Sequence, residues 1–228
     1  MAPLTFPSPD FQLEIKSNFK VEGGCKDFEA AFARRSVMLL RRLLGEERLT
    51  ELLRDEITAS DAYWKKTAAA SNGKWRASRI HVSPRGLSVK DFHLWFAGEG
   101  SPDPEKIASH PEHWVIYTVP GSTDMSVLET LGDKVTLFNM ILVDEVPDFI
   151  DQVADHPIKM KFRGFTEGNT HMVEVYHQLK EHEDGQGFDA DLAVYFPAAV
   201  EDDLIETHRQ HLLVEFNNWF QQAYLAKA

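Results

Sequence analysis

Near the end of the chain, "ETHRQHLLVEFNNW" (Glu206 to Trp219) holds residues whose types and spacing suit the binding of a cation. His211 and Glu215 stand four apart, so on a helix they project from the same side, one turn apart. At about 100° per residue, Leu204, Ile205, Leu212, Phe216, Trp219, Phe220 and Ala223 form one apolar arc. His208 and Glu215 fall within that arc and His211 lies just outside its edge. A helix is rigid enough to present two deprotonated ligands, and a divalent ion then needs one or two more from elsewhere. The plainer alternative is an i,i+4 His–Glu pair at the core boundary, hydrogen-bonded and partly wet.

Further ligands are available upstream. "SHPEHW" offers His110 and His113, the second at the mouth of a strand, and "MSVLETLG" offers Glu129 just before the next strand. Taken singly, these read as a polar loop and a solvated turn residue.

The elements that must position these groups follow from periodicity. Residues 1–24, rich in Pro, Gly and polar residues, suggest an extended arm packed on the body. From Asp27 the pattern is helical, with Gly45 as its stop, and "EERLTELLRDEI" suggests a second helix. "AAASNGK" reads as a loop. The period then changes to that of strands: "SRIHVSP", "GLSVKDFHLWFAG", "HWVIYTVP", "KVTLFNMILVDEVP", "IKMKFRGFT", "HMVEVYHQLKEHE" and "FDADLAVYFP". "GEGSPDPEKIAS" is a connection, Ser126–Leu131 and Asp148–Val153 suit helical turns, and "EDGQG" suits an antiparallel hairpin. A long helix closes the chain from about Val200 to Leu225. The expectation is a single α+β domain, with an arm and helices over 1–76 and a sheet plus terminal helix enclosing a cavity over 77–228.

Composition narrows the function classes. Apolar residues make up 43% of the 228, enough for a sizeable core. The net charge of −12 disfavours phosphate backbones and anionic lipid, so no nucleic-acid or membrane partner is expected. Lys159, Lys161 and Arg163 alternate onto one strand face, read as outward and solvated. Cys25 is the only cysteine, which excludes an internal disulfide and a cysteine–zinc site and fits a reducing, cytoplasmic compartment. The start lacks the features of a signal peptide, no run is long enough to span a bilayer, and no nucleophile elbow or nucleotide fingerprint is present.

Four segments in order, "LSVKDFHLWFAG", "HPEHW", "VLETLGDK" and "HLLVEFNNW", give the chain a resemblance to the diacetylphloroglucinol hydrolase family, which includes phloretin hydrolase. It spans roughly Leu87 to Tyr224 and leaves the helical first third uncovered. The resemblance implies a helix-grip fold like that of START domains and the birch-pollen allergen. It also implies one zinc held by two His and two Glu, and cleavage of a carbon–carbon bond between an acyl group and a phenolic or polyketide ring. Carried over, the ligands are His113, Glu129, His211 and Glu215, with His110 as a substitute or supporting partner. The sequence departs from the family where Lys106 stands in place of an expected Tyr, so the metal site is retained and the family's phenol contacts are not; Lys106 and His110 are separately candidate substrate contacts.

An acid/base group must protonate the departing ring carbon, and His208, His93 and His171 are the candidates. Trp95, Trp114, Phe138 and Trp219 are candidates to line the cavity, Trp95 and Trp219 as substrate contacts. Two other readings keep the cavity: a polyketide cyclase or lactone-forming enzyme, and a non-catalytic carrier of an apolar small molecule. A homodimer through the first 85 residues is a further possibility.

Overall fold

The computed structural model describes residues 24–97 and 103–227. It falls into two compact units, Met1–Ser36 and Val37–Ala228. The first contributes the opening turns of helix α1 (Cys25–Leu52). The segment expected to be an extended arm, residues 1–24, lies outside the described residues apart from Gly24.

Gly45 does interrupt the first helix. Its φ of 71° and ψ of 168° lie where only glycine is unstrained, so α1 is two helical runs meeting at a kink. The helix expected next is divided, because after Leu52 a new one, α2 (Arg54–Ala70), begins. It runs through the alanines of the expected loop. Ile57, Ser60, Trp64 and Thr67 recur at three- and four-residue steps and bury one face. Trp64 stacks on Phe196 at 5.8 Å and donates Nε1–H to Thr136 Oγ1 at 3.1 Å.

After β1 (Trp75–Val82) comes a correction: "LSVKDFHLWFAG" is not a strand but helix α3 (Val89–Ala97). Ser88 caps it, its Oγ accepting the Asp91 N–H at 3.1 Å. Val89, Phe92 and Phe96 are its buried residues, spaced three and four apart, and that helical spacing prevails over the local alternation. The expected connection "EKIAS" likewise forms a helix, α4 (Asp103–Ser109).

The remaining strands are β2 (His113–Thr118), β3 (Met125–Leu131), β4 (Lys134–Leu142), β5 (Ile158–Thr166), β6 (His171–Glu181) and β7 (Phe188–Pro197), before helix α5 (Asp202–Ala226). β3 replaces the helical turn expected at Ser126–Leu131, because that segment pairs with β2 on one side and β4 on the other. At Asp148–Val153 there is no helix. Phe149 stacks on Trp75 at 5.2 Å and Ile150 is buried, so tertiary contacts hold a turn there.

All seven strands form one antiparallel sheet in the order β1-β7-β6-β5-β4-β3-β2. α5 is the long helix the sheet grips, and its buried stripe runs from Leu204 to Ala223. This is the expected α+β helix-grip fold. Phe92 of α3 locks the helices together, with its ring 4.9 Å from Phe220 and 6.3 Å from Phe216. It is fully buried. Phe92→Ala should therefore cost about 3–5 kcal/mol in urea unfolding; a cost under about 1 kcal/mol would mean the α3–α5 contact is not structural.

No helix among the described residues is long and apolar enough to cross a membrane.

Candidate metal centre

The sheet register and α5 bring the four sequence candidates to one point. His113 at the start of β2 and Glu129 on β3 are direct partners in the antiparallel ladder. α5 lays His211 and Glu215 over them. His113 Nε2 lies 3.1 Å from His211 Nε2, 3.3 Å from Glu215 Oε1 and 3.5 Å from Glu129 Oε2. Donor atoms of all four lie within 4.8 Å of one another, and all four residues are buried.

The outer nitrogens explain how the rings are held. His113 Nδ1–H donates to the Lys106 carbonyl at 3.0 Å, and His211 Nδ1–H faces Glu112 Oε2 at 3.4 Å. With both Nδ1 atoms engaged away from the centre, both Nε2 atoms converge on it. Two imidazoles and two carboxylates suit a dication in donor type, and their charge offsets its own. Without one, burial works against a charged His211, but Glu112, Glu129 and Glu215 prevail and push its pKa up to about 9. Burial raises the Glu129 pKa, with His211 and His113 pulling it down.

His110 stands behind the quartet. Its ring stacks on His211 at 3.8 Å, and its Nδ1 accepts the Glu112 N–H at 3.1 Å. In the neutral ring this leaves the proton on Nε2, so His110 presents a donor rather than a lone pair. It also groups with His113 and His211 at ligand distance. The geometry favours His113 and Glu129 as ligands, with His110 as their support.

Sequence reading missed Arg41. Its buried guanidinium donates to the carbonyls of Ile107 (3.0 Å), His110 (3.1 Å) and Pro111 (2.5 Å). Ile107 lies in the last turn of α4, and His110 and Pro111 in the turn that leads from it into His113. Arg41→Met should weaken metal affinity about 10- to 100-fold, as loss of ligand-supporting contacts generally does. Competition against a chelator reads this directly; unchanged affinity would show that the turn holds itself.

Behind the quartet lies a narrow apolar cavity of about 80 Å³, lined by Phe138, Phe196, Phe216 and several methionines. Lys106, His208 and Trp219 are among the residues that line it. Lys106 is buried over the Phe96 ring at 4.4 Å, with its Nζ 3.5 Å from Asp103; burial lowers its pKa while Asp103 pulls it up. Trp219 donates Nε1–H to the Lys106 carbonyl at 3.4 Å.

Several expected contacts fall elsewhere. Trp95 does not reach the cavity, because Phe92 and Phe96 take the inner face of α3 and Trp95 stacks beside Phe92 at 6.3 Å. His93 is exposed and lines only a neighbouring pocket. His171 is on the wrong side of β6, packed on Trp75 at 4.6 Å and paired with Glu174 at 3.0 Å. Trp114 lies under Arg41 and outside the lining. Lys159, Lys161 and Arg163 are engaged by Gln178, the Asp144 carbonyl and Glu174.

His177 was missed and does line the cavity. The signal was its parity in "HMVEVYHQL", two residues beyond Val175, which also faces the cavity. Burial drives its pKa down to about 4, against the pull of Glu215. Its Nδ1 has no hydrogen-bond partner among the described residues.

His208 is held through Nδ1, 2.9 Å from Ser78 Oγ. Ser78 Oγ–H donates to the Ile205 carbonyl at 3.4 Å, so at 2.9 Å it accepts from His208 Nδ1–H. The Nε2 lone pair is thereby left for the cavity. Burial, then His211 and His177, lower the His208 pKa well below the usual imidazole value.

No family profile and no curated protein matches the chain. Solved structures give partial likenesses. Ara h 8.0201 matches at 13% identity and a TM-score of 0.45, over 66% of this chain and 98% of its own. An uncharacterized Rhizobium leguminosarum protein matches at 13% identity and a TM-score of 0.41, over 68% and 98%. A Deinococcus radiodurans protein, DR_A0006, matches at 12% identity and a TM-score of 0.30, over 60% and 98%. At such scores the likenesses add nothing to the fold, which stands on the strand register and α5 themselves.

Proposed function

We propose that this protein is a zinc-dependent hydrolase that cleaves the carbon–carbon bond between an acyl group and a phenolic or polyketide ring. One observation carries the reading: two imidazoles, each with Nδ1 engaged outward, converge through Nε2 with two buried carboxylates at the end of an apolar cavity. The family resemblance supports the same four residues. His113, Glu129, His211 and Glu215 would hold the ion, and zinc so bound supplies Lewis-acid polarisation of a ketone and a lowered pKa for water.

The chain's own groups supply the rest. Phe138, Phe216 and Trp219 exclude bulk water and bury the ring. His208 Nε2 takes a proton from the water that adds to the acyl carbon. When the bond to the ring breaks with its electron pair on the ring, His208 returns that proton to the ring carbon. The products are a carboxylic acid and a deacylated ring. His177, neutral through burial, offers the ligand a hydrogen bond.

The test is incubation of zinc-loaded protein with 2,4-diacetylphloroglucinol and related acylphloroglucinols. The expected products are acetate and the deacylated phenol in equal amounts. Zinc-loaded protein that releases no acid from any of them would contradict the hydrolase reading and favour the cyclase or carrier alternatives.

A further inference from the structure

Four of the six methionines, Met125, Met140, Met160 and Met172, line the one cavity behind the metal centre. Methionine is flexible and polarizable, and it fills a space whose shape changes with its contents better than branched side chains do. Leu131, Glu129, Val127 and Met125 alternate along β3 and all four line the cavity. At about 3.3 Å per residue, Met125 is about 13 Å along the strand from Glu129.

Met125 pairs across the sheet with Met140, and Met140 with Gly164, which presents no side chain. The cavity shares Phe96, Lys106, Met125, Met160 and Phe162 with a second pocket, which extends to Ser122, Thr123 and Leu142. The lining therefore carries the Glu129 carboxylate and the Met125 thioether at separate points along β3, with Leu131 beyond Glu129 and His177 opposite Met160.

We infer that the ligand has a flexible aliphatic tail laid along the methionines, with its ketone or phenol head at the metal centre. The placement of the head rests on the hydrolase reading; the tail does not. An extended chain of roughly ten carbons covers the distance from Glu129 to Met125. The ligand class then extends to long-chain acyl or alkyl phenols, which bind more tightly than compact acetylated rings.

The test is calorimetric binding of 4-acetyl-, 4-hexanoyl- and 4-dodecanoylresorcinol to the full chain, both zinc-loaded and chelator-stripped. Affinity should rise roughly three- to fourfold per methylene from acetyl to hexanoyl in both forms, and further to dodecanoyl. Met140→Trp should cut dodecanoyl affinity at least about tenfold more than acetyl affinity, by filling the tail end. A chain-length gain without any effect of zinc would uphold the tail and remove the metal-bound head. Zinc-dependent acetyl binding with no gain for longer chains would overturn the tail and leave the hydrolase reading intact. Failure to bind any of the three would overturn the inference as well.

Discussion

His211→Ala and Glu215→Ala should each strip zinc and turnover together while leaving the fold in place. Each removes one of the converging donors, and the survivors cannot complete a four-ligand site. The fold should persist because Leu212, Phe216, Trp219 and Phe220 hold α5 through apolar contacts that neither substitution touches. Zinc at a hundred times its Kd should stabilise the wild-type protein by about 2.7 kcal/mol, and the variants by almost nothing. Elemental analysis after gel filtration and thermal unfolding with and without zinc check both halves. Variants that keep a full complement of zinc and normal turnover would show that the ligand set is wrong.

His208→Ala separates the proton from the metal. Zinc content should stay at the wild-type level, because His208 is not one of the four converging residues and its Nδ1–H is committed to Ser78. Turnover should fall about 10²- to 10⁴-fold, the usual range for loss of a general acid–base group. Ser78→Ala is a milder probe: it frees the His208 tautomer without removing the ring, so its loss should be smaller and fall in kcat more than in KM. If His208→Ala turned over at the wild-type rate, His177 would become the group to test.

Some of this arrangement was open to sequence reading. The i,i+4 pair His211 and Glu215 and the buried stripe of α5 follow from helical periodicity, which depends on local spacing alone. The proximity of His113 and Glu129 does not, since it is set by the register of β2 against β3, a tertiary property. The strand character of β3 is hidden in "SVLETL" because burial on both faces of a strand flanked on each side removes the alternation. α3 differs in the opposite sense: its apolar residues also fit a strand, and the helical spacing of Val89, Phe92 and Phe96 prevails because that face packs on α5. Arg41 was invisible because its partners are backbone carbonyls about seventy residues away, and carbonyls carry no sequence signature. His93, Trp95 and His171 were misplaced for a common reason: which face an aromatic or imidazole side chain takes depends on the element type and on bulges such as that at Gly164/Phe165.

The most direct measurement is zinc K-edge X-ray absorption on the purified, zinc-loaded protein, with stoichiometry determined on the same sample. About one zinc per chain is expected, bound only by nitrogen and oxygen at about 2.0–2.2 Å, with the multiple-scattering pattern of two imidazoles. Protein that retains no zinc, or whose zinc has a sulfur neighbour or a single imidazole, would contradict a centre built from His113, Glu129, His211 and Glu215.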